Sequence, residues 1–144
     1  MLTRVCSGGV VFAGEKVLIL KNDKDEWVLP KGVIRPDKLA QEVAVERIKT
    51  EADVNARIVT YVGETRYEFY SITRQRPVTN LITWFLMEAG NDTSKPNEDL
   101  GFKDGGFYSM EEAAGLMTHN QEKSLVRLSF QKMIDYREKD EAFV

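Results

Sequence analysis

β-Branched and aliphatic residues open the chain in two runs, TRVCSGGVVF and KVLILKN, separated by Ala13-Gly14-Glu15. Runs of this kind, broken by a short glycine-containing segment, predict two strands joined by a hairpin turn. A polar turn, Asn22 to Asp25, leads to Trp27-Val28-Leu29, and Pro30-Lys31-Gly32 begins a loop closed by Pro36-Asp37. From Leu39 to Ala52 the apolar residues recur at helical spacing, with Pro36 upstream as an entry marker, which predicts a first helix. ARIVTYVGETRYEFY and PVTNLITWFLMEA read as long strands split by the polar turn Thr73 to Pro77. The segment GNDTSKPNEDLGFKDGG is a loop long enough to be functional or mobile. GFYS predicts a short strand, MEEAAGLM a short helix, and Gln121 to Lys139 a terminal helix. The order β-β-α-β-β-α-α predicts an α/β (α+β) architecture, a mixed β-sheet sandwiched between helices.

Composition narrows the function classes. A chain of 144 residues with 42% hydrophobic side chains suits one domain spanning residues 1–144, with a core of useful size. The formal charge of −3 gives no global basic field, so no polynucleotide partner is expected from bulk electrostatics. Cys6 is the only cysteine, which excludes an internal disulfide and suits a reducing compartment; its place in an apolar run predicts a packed thiol. His119 is the only histidine, so no cysteine-histidine metal site can be built. No segment reaches the roughly 20 apolar residues that span a bilayer, and MLTRVCSGGVVF lacks a signal peptide's apolar core. The expected location is cytoplasmic, with no membrane partner.

The stretch LPKGVIRPDKLAQEVAVERIKTEADV, residues 29–54, gives the most specific signal. With Trp27 before it, it resembles the box of the Nudix (MutT-like) hydrolases, G-x5-E-x7-R-E-U-x-E-E-x-G-U with U apolar, usually preceded by L-P-K-G or P-G-G. Leu29-Pro30-Lys31-Gly32, Pro36, Ile48, Glu51 and Val54 fall where that pattern wants them, without a gap. SGGVVF before the box, then TRYEF, WFLMEA and GGFYSMEEA after it, resemble the branch that hydrolyses diadenosine polyphosphates. The resemblance implies a Nudix α/β/α fold, a nucleotide or dinucleoside polyphosphate as ligand, and Mg2+ or Mn2+ if the chain is active.

Departures from the pattern are equally specific. Lys38 stands where the box has glutamate, Glu46-Arg47 where it has arginine-glutamate, Thr50-Glu51 where it has two glutamates, and Asp53 where it has glycine. The resemblance implies metal ligands at the positions of Arg47, Thr50 and Glu51. Their formal charge is roughly zero, against about −3 in the family pattern, so the attraction for a divalent cation is largely gone. Glu51 is then the residual acid of the box, the one metal and catalytic candidate left in it.

At about 100° per residue, Arg47 and Glu51 fall on the inward half of the helix with Ala44 and Ile48. Charges there need partners. Two readings stand for Arg47: an ion pair with Glu51 four residues on, its guanidinium in place of the metal, or direct contact with a phosphate. Glu46 points outward and is expected to be solvated near Lys49, while Lys38 is expected to pair with Glu42 at four residues rather than with Glu46 at eight. Lys31 and Gly32 are the other phosphate-binding candidates, since glycine lets backbone approach a phosphate and lysine neutralises it, although such a dipeptide also suits a surface turn.

Aromatic residues supply the other half of a nucleotide site. Tyr67 and Phe69 alternate onto one sheet face and Tyr70 onto the other, so Tyr67 or Tyr70 could stack a base, while core packing is expected for Phe69, Trp84 and Phe85. Glu98 and Glu112, with Glu64 and Glu111, are candidate general bases outside the box; each also reads as a solvated carboxylate. Three functions remain open: a nucleotide binder with impaired or lost metal-dependent pyrophosphohydrolase activity, an active hydrolase using Glu51 and acids outside the box, and a non-catalytic protein-interaction module.

Overall fold

Gly14, at φ +60°, takes the left-handed conformation that a two-residue hairpin turn requires, and Ala13 pairs with Lys16 across it. The computed structural model describes residues 2–142, with side chains through residue 140. The hairpin joins β1 (Leu2–Ala13) to β2 (Lys16–Lys21). β1 then runs parallel to β6 (Arg76–Ala89), from Leu2 opposite Val78 to Phe12 opposite Glu88, and β6 runs antiparallel to β5 (Ala56–Ser71). With β3 (Trp27–Val28) the order is β3-β2-β1-β6-β5, a mixed sheet as the sequence predicts.

Pro30-Lys31-Gly32 departs from the expected loop. Lys31–Val33 forms a strand, β4, antiparallel to β1 with Gly8 opposite Lys31 and Cys6 opposite Val33. The cause is an edge left open, because β2 pairs with β1 only at Phe12 and Ala13. Gly8 allows the approach: a Cβ there would lie 2.4 Å from the Pro30 carbonyl oxygen. The short strand expected near GFYS is β7 (Asp104–Tyr108), paired with β2.

Alternation along the strands builds two cores. Val10, Phe12, Val17, Ile19, Trp84 and Leu86 face α2 (Met110–Leu116) and α3 (Asn120–Ala142), packing with Ala113, Leu125, Val126 and Met133. Val11, Leu18, Leu20, Phe85 and Met87 face α1 (Ala40–Ala52), packing with Ala44, Ile48 and Ala52. A fully buried Leu or Ile contributes roughly 1.5–3 kcal/mol, so these layers fix which face of α1 turns inward. Gly9 sets the helix distance, since a Cβ there would meet the Ile48 side chain at 2.5 Å. Trp84 and Phe85 are core residues, as expected. Cys6 is buried, and burial raises its thiol pKa, in keeping with a packed thiol. Among the described residues no helix is long and apolar enough to cross a membrane.

Both ends of α1 are capped by the chain around them. Leu39 is the N-cap, and its backbone N–H donates to Glu42 Oε1 at 3.3 Å. At the other end the last carbonyls would lack intrahelical donors. Lys95 N–H donates to the Ala52 carbonyl, Asn97 N–H to that of Glu51, and Asn97 Nδ2 to that of Thr50. The long loop after β6 is thereby docked on the helix terminus, where it makes a 3-10 turn at Glu98–Leu100.

Asp53 closes α1 in the left-handed region, at φ 54° and ψ 42°, where an L side chain is strained and glycine is not. Its pairing with Lys49 at 2.7 Å is exposed and screened by solvent, so it offsets little of that strain. Asp53→Gly should therefore raise stability by about 0.5–1 kcal/mol. An increased urea midpoint at unchanged m-value is the expected readout; a lowered midpoint would contradict the strain argument.

Candidate functional site

Glu51 is the buried carboxylate of α1, with its side chain only 4% exposed. Its Oε2 accepts from Arg47 Nε at 3.0 Å and Nη2 at 2.7 Å, and the carboxylate also accepts the backbone N–H of Lys31. Burial raises its pKa above the ordinary glutamate value, while Arg47 and then Lys31 oppose the rise. Of the two readings for Arg47, the ion pair is the one formed. The arginine stem lies over Gly32, where a Cβ would sit 2.5 Å from Arg47 Cγ and Cδ. The space that glycine leaves is occupied by the Arg47 side chain.

Two expected pairings on α1 are corrected. Lys38 Nζ binds Glu46 Oε1 at 3.1 Å, not Glu42. Glu42 is engaged at the N-cap, and Lys38 precedes the helix, so its side chain can run along the first turns. Glu46 is thus not associated with Lys49, whose Nζ lies 2.7 Å from Asp53.

The candidate bases do not gather around Glu51. Glu98 is exposed in the 3-10 turn, where it lines a cavity with Lys49, Thr50 and Asp53 at the end of α1. Glu111 and Glu112 open α2 on the opposite side of the sheet from α1. Glu112 is engaged in a capping box, accepting from Ser109 N–H at 3.4 Å and donating its own N–H to Ser109 Oγ at 3.1 Å. Glu64 is exposed on β5.

Lys31, Tyr67 and Tyr70 do come together, lining one cavity of about 710 Å³ at the end of the sheet. Phe69 joins them and is half-buried, which corrects the expectation that it packs in the core: it lies beyond the layer that α3 covers. Tyr67 stacks on Phe69, centroids 5.7 Å apart and planes 19° apart, and its other neighbour is His119 at 5.9 Å. Arg4, Arg66, Asn80 and Glu122 also line it, together with the acids Asp23 and Glu26.

Sequence reasoning missed Asn80 and Glu122. Glu122 reads as one polar residue in the first turn of an amphipathic helix, yet it is buried and accepts the Leu29 N–H at 3.0 Å, tying α3 to the turn before β4. Burial raises its pKa, against the opposing influence of Lys31, the Leu29 N–H and His119. A buried carboxylate inside a mixed apolar and charged stretch leaves no periodic signal.

The family model described as NUDIX domain matches residues 2–128. The chain belongs to the Nudix family. Solved structures agree on the fold. A NUDIX hydrolase from Nitrosomonas europaea superposes with TM-score 0.71 at 14% identity, covering 92% of this chain and 72% of that one. An Ap4A hydrolase binary complex from C. elegans gives 0.69 at 18%, covering 92% and 98%. The E. coli dihydroneopterin triphosphate pyrophosphohydrolase gives 0.71 at 16%, covering 88% and 95%. At such identities the likeness establishes the fold.

Nudix hydrolases generally use a divalent metal such as Mg2+ or Mn2+. The residues present here do not fit one. Among the described residues no group of three or more His, Cys, Asp or Glu side chains could hold a metal ion. Glu51, the single acid at the Nudix ligand positions, already accepts from a guanidinium and a backbone N–H.

Glu122 gives a pH test. Its folded pKa lies above the ordinary 4.5, so on raising the pH the unfolded chain ionises first. Stability should then fall as pH climbs from about 4.5 through the raised value, because the unfolded state releases its proton before the folded one. Glu122→Gln keeps an oxygen for the Leu29 N–H and carries no charge, so the variant should lose part of this decline, with Glu51 sustaining the rest. Urea unfolding across the pH series checks it; parallel curves for both proteins would contradict the assignment.

Proposed function

We propose that this Nudix chain is a nucleotide-phosphate binder of the dinucleoside polyphosphate type, with metal-dependent pyrophosphohydrolase activity impaired or lost. The carrying observation is the Arg47–Glu51 pair, which puts a guanidinium where the family pattern has a metal-binding glutamate. A cation fixed beside the last acid repels Mg2+ and occupies the oxygen that would bind it.

The ligand reading rests on the cavity. Tyr67 and Tyr70 offer faces for a base, and Lys31 offers an ammonium for phosphate. Arg47 is held by Glu51, and of the phosphate candidates Lys31, Gly32 and Arg47 it is Lys31, with Arg4 beside it in the cavity, that supports this reading best. We place the protein in the cytoplasm as one domain. The rival reading, a working hydrolase, draws support from Glu122, a buried carboxylate on the cavity wall with a raised pKa.

Millimolar Mg2+ without nucleotide should leave the melting temperature of the wild type nearly unchanged, since a ligand stabilises only as its concentration exceeds its dissociation constant. Arg47→Glu with Thr50→Glu rebuilds three carboxylates with Glu51, and this double variant should gain Mg2+ binding and some pyrophosphohydrolase activity. Its stability without metal should fall by about 1–3 kcal/mol, because Glu51 loses its donors beside a new like charge. Calorimetric titration with Mg2+ and product release from a dinucleoside polyphosphate read the two effects. The proposal fails if the folded double variant binds no metal, or if the wild type already hydrolyses as fast.

A further inference from the structure

The orphaned polar group in the cavity is Asn80. It is 9% exposed, lines the cavity, and its Oδ1 is buried without a hydrogen-bond partner. Leaving such an acceptor unmet is unfavourable, so native proteins seldom keep one without a role. Strand register fixes its neighbours. Asn80 of β6 pairs with Arg4 of β1 on one side and Tyr67 of β5 on the other, so the three side chains form one row across the sheet.

That row has the parts of a base-reading device in order. Tyr67 presents a ring already held parallel to Phe69, and directly adjacent strand residues stand about 5 Å apart, so a base stacked on Tyr67 brings its edge over Asn80. The terminal torsion of asparagine is broad, and a rotation of the carboxamide turns both its oxygen and its NH2 toward that edge. Arg4 continues the row and Lys31 lines the same cavity, giving two cations for the phosphates. A carboxamide makes paired hydrogen bonds with adenine, accepting from N6 and donating to N7.

We infer that Asn80 is a specificity residue that reads the edge of an adenine base stacked on Tyr67, making the preferred ligands adenosine nucleotides. This rests on the reading of the chain as a nucleotide binder and goes beyond it by naming the base and the residue that selects it.

The test is equilibrium binding, without divalent metal, of ATP, GTP, CTP and UTP, with ITP and 7-deaza-ATP as probes that lack the N6 amine and the N7 acceptor. The wild type should bind ATP at least about tenfold more tightly than GTP or UTP, and each probe should lose about five- to tenfold. Asn80→Leu, close in volume and without polar atoms, should bring all six ligands within about threefold of one another. The two adenine probes work on the wild type, so they decide the question even if the variant folds poorly. Equal affinity of the wild type for all six ligands would overturn the role of Asn80 while leaving the binder reading intact. Loss of affinity in Asn80→Leu that is the same for every base would assign Asn80 to packing. Absence of binding by every triphosphate would overturn the binder reading and this one together.

Discussion

A carboxylate buried as deeply as Glu51 must either give up its charge or be surrounded by donors, and much of the site follows from how this chain meets that demand. Burial alone drives its pKa up. Two guanidinium nitrogens and the Lys31 backbone N–H supply the compensating hydrogen bonds, which ties α1 to β4 at one point. The arginine can reach Glu51 only because Gly32 has no side chain in the way. Gly32 and Arg47 therefore act as a unit, and the open edge of β1 at which β4 pairs is the scaffold for both. An ion pair with one partner a third exposed is a modest source of net stability, so its main effect is to settle where charge sits.

The arrangement separates two parts of the Nudix surface. On the α1 side, charge is neutralised internally: Arg47 with Glu51, Lys38 with Glu46, Lys49 with Asp53. On the other side of β4 lies the cavity with Lys31, Arg4 and Arg66, for which no ion pair is formed among the described residues, beside three aromatic rings. Asp23, Glu26 and the buried Glu122 line the same cavity, so its cations stand among acids, and the side chains left to meet an anionic, flat molecule are Lys31, Arg4 and Arg66 beside the aromatic faces.

Most of the fold was legible from the sequence. The hairpin at Gly14, the helix ending at Ala52, the long β5–β6 pair and the terminal helix all have strong periodicity and clear turn residues. β4 was missed because three residues carry no period, and only the open edge of β1 makes them a strand. At the site, the Arg47–Glu51 pair was legible because helix geometry alone places residues four apart together. Lys38 was misjudged because the four-residue rule holds inside a helix, and Lys38 lies before it. Asn80 and Glu122 were invisible for a different reason. Their burial arises from tertiary packing between segments far apart in the chain, and a single polar letter does not report what covers it.

The parallel pairing of β1 with β6 bears on how the molecule comes into being. β1 leaves the ribosome well before β6, its central neighbour, which begins only at Arg76, so the middle of the sheet must wait for a closure that spans about half the given chain. Contacts this distant in sequence slow folding, because the entropy of closing the loop is lost before the pairing is gained. During that interval Val10 and Val11, which end fully buried, have no strand paired beside them, and Phe12 has only Val17 of β2. The hairpin with its apolar strands is then an open edge, the kind that joins other chains. The same long-range pairing that completes the sheet therefore makes its centre late to form.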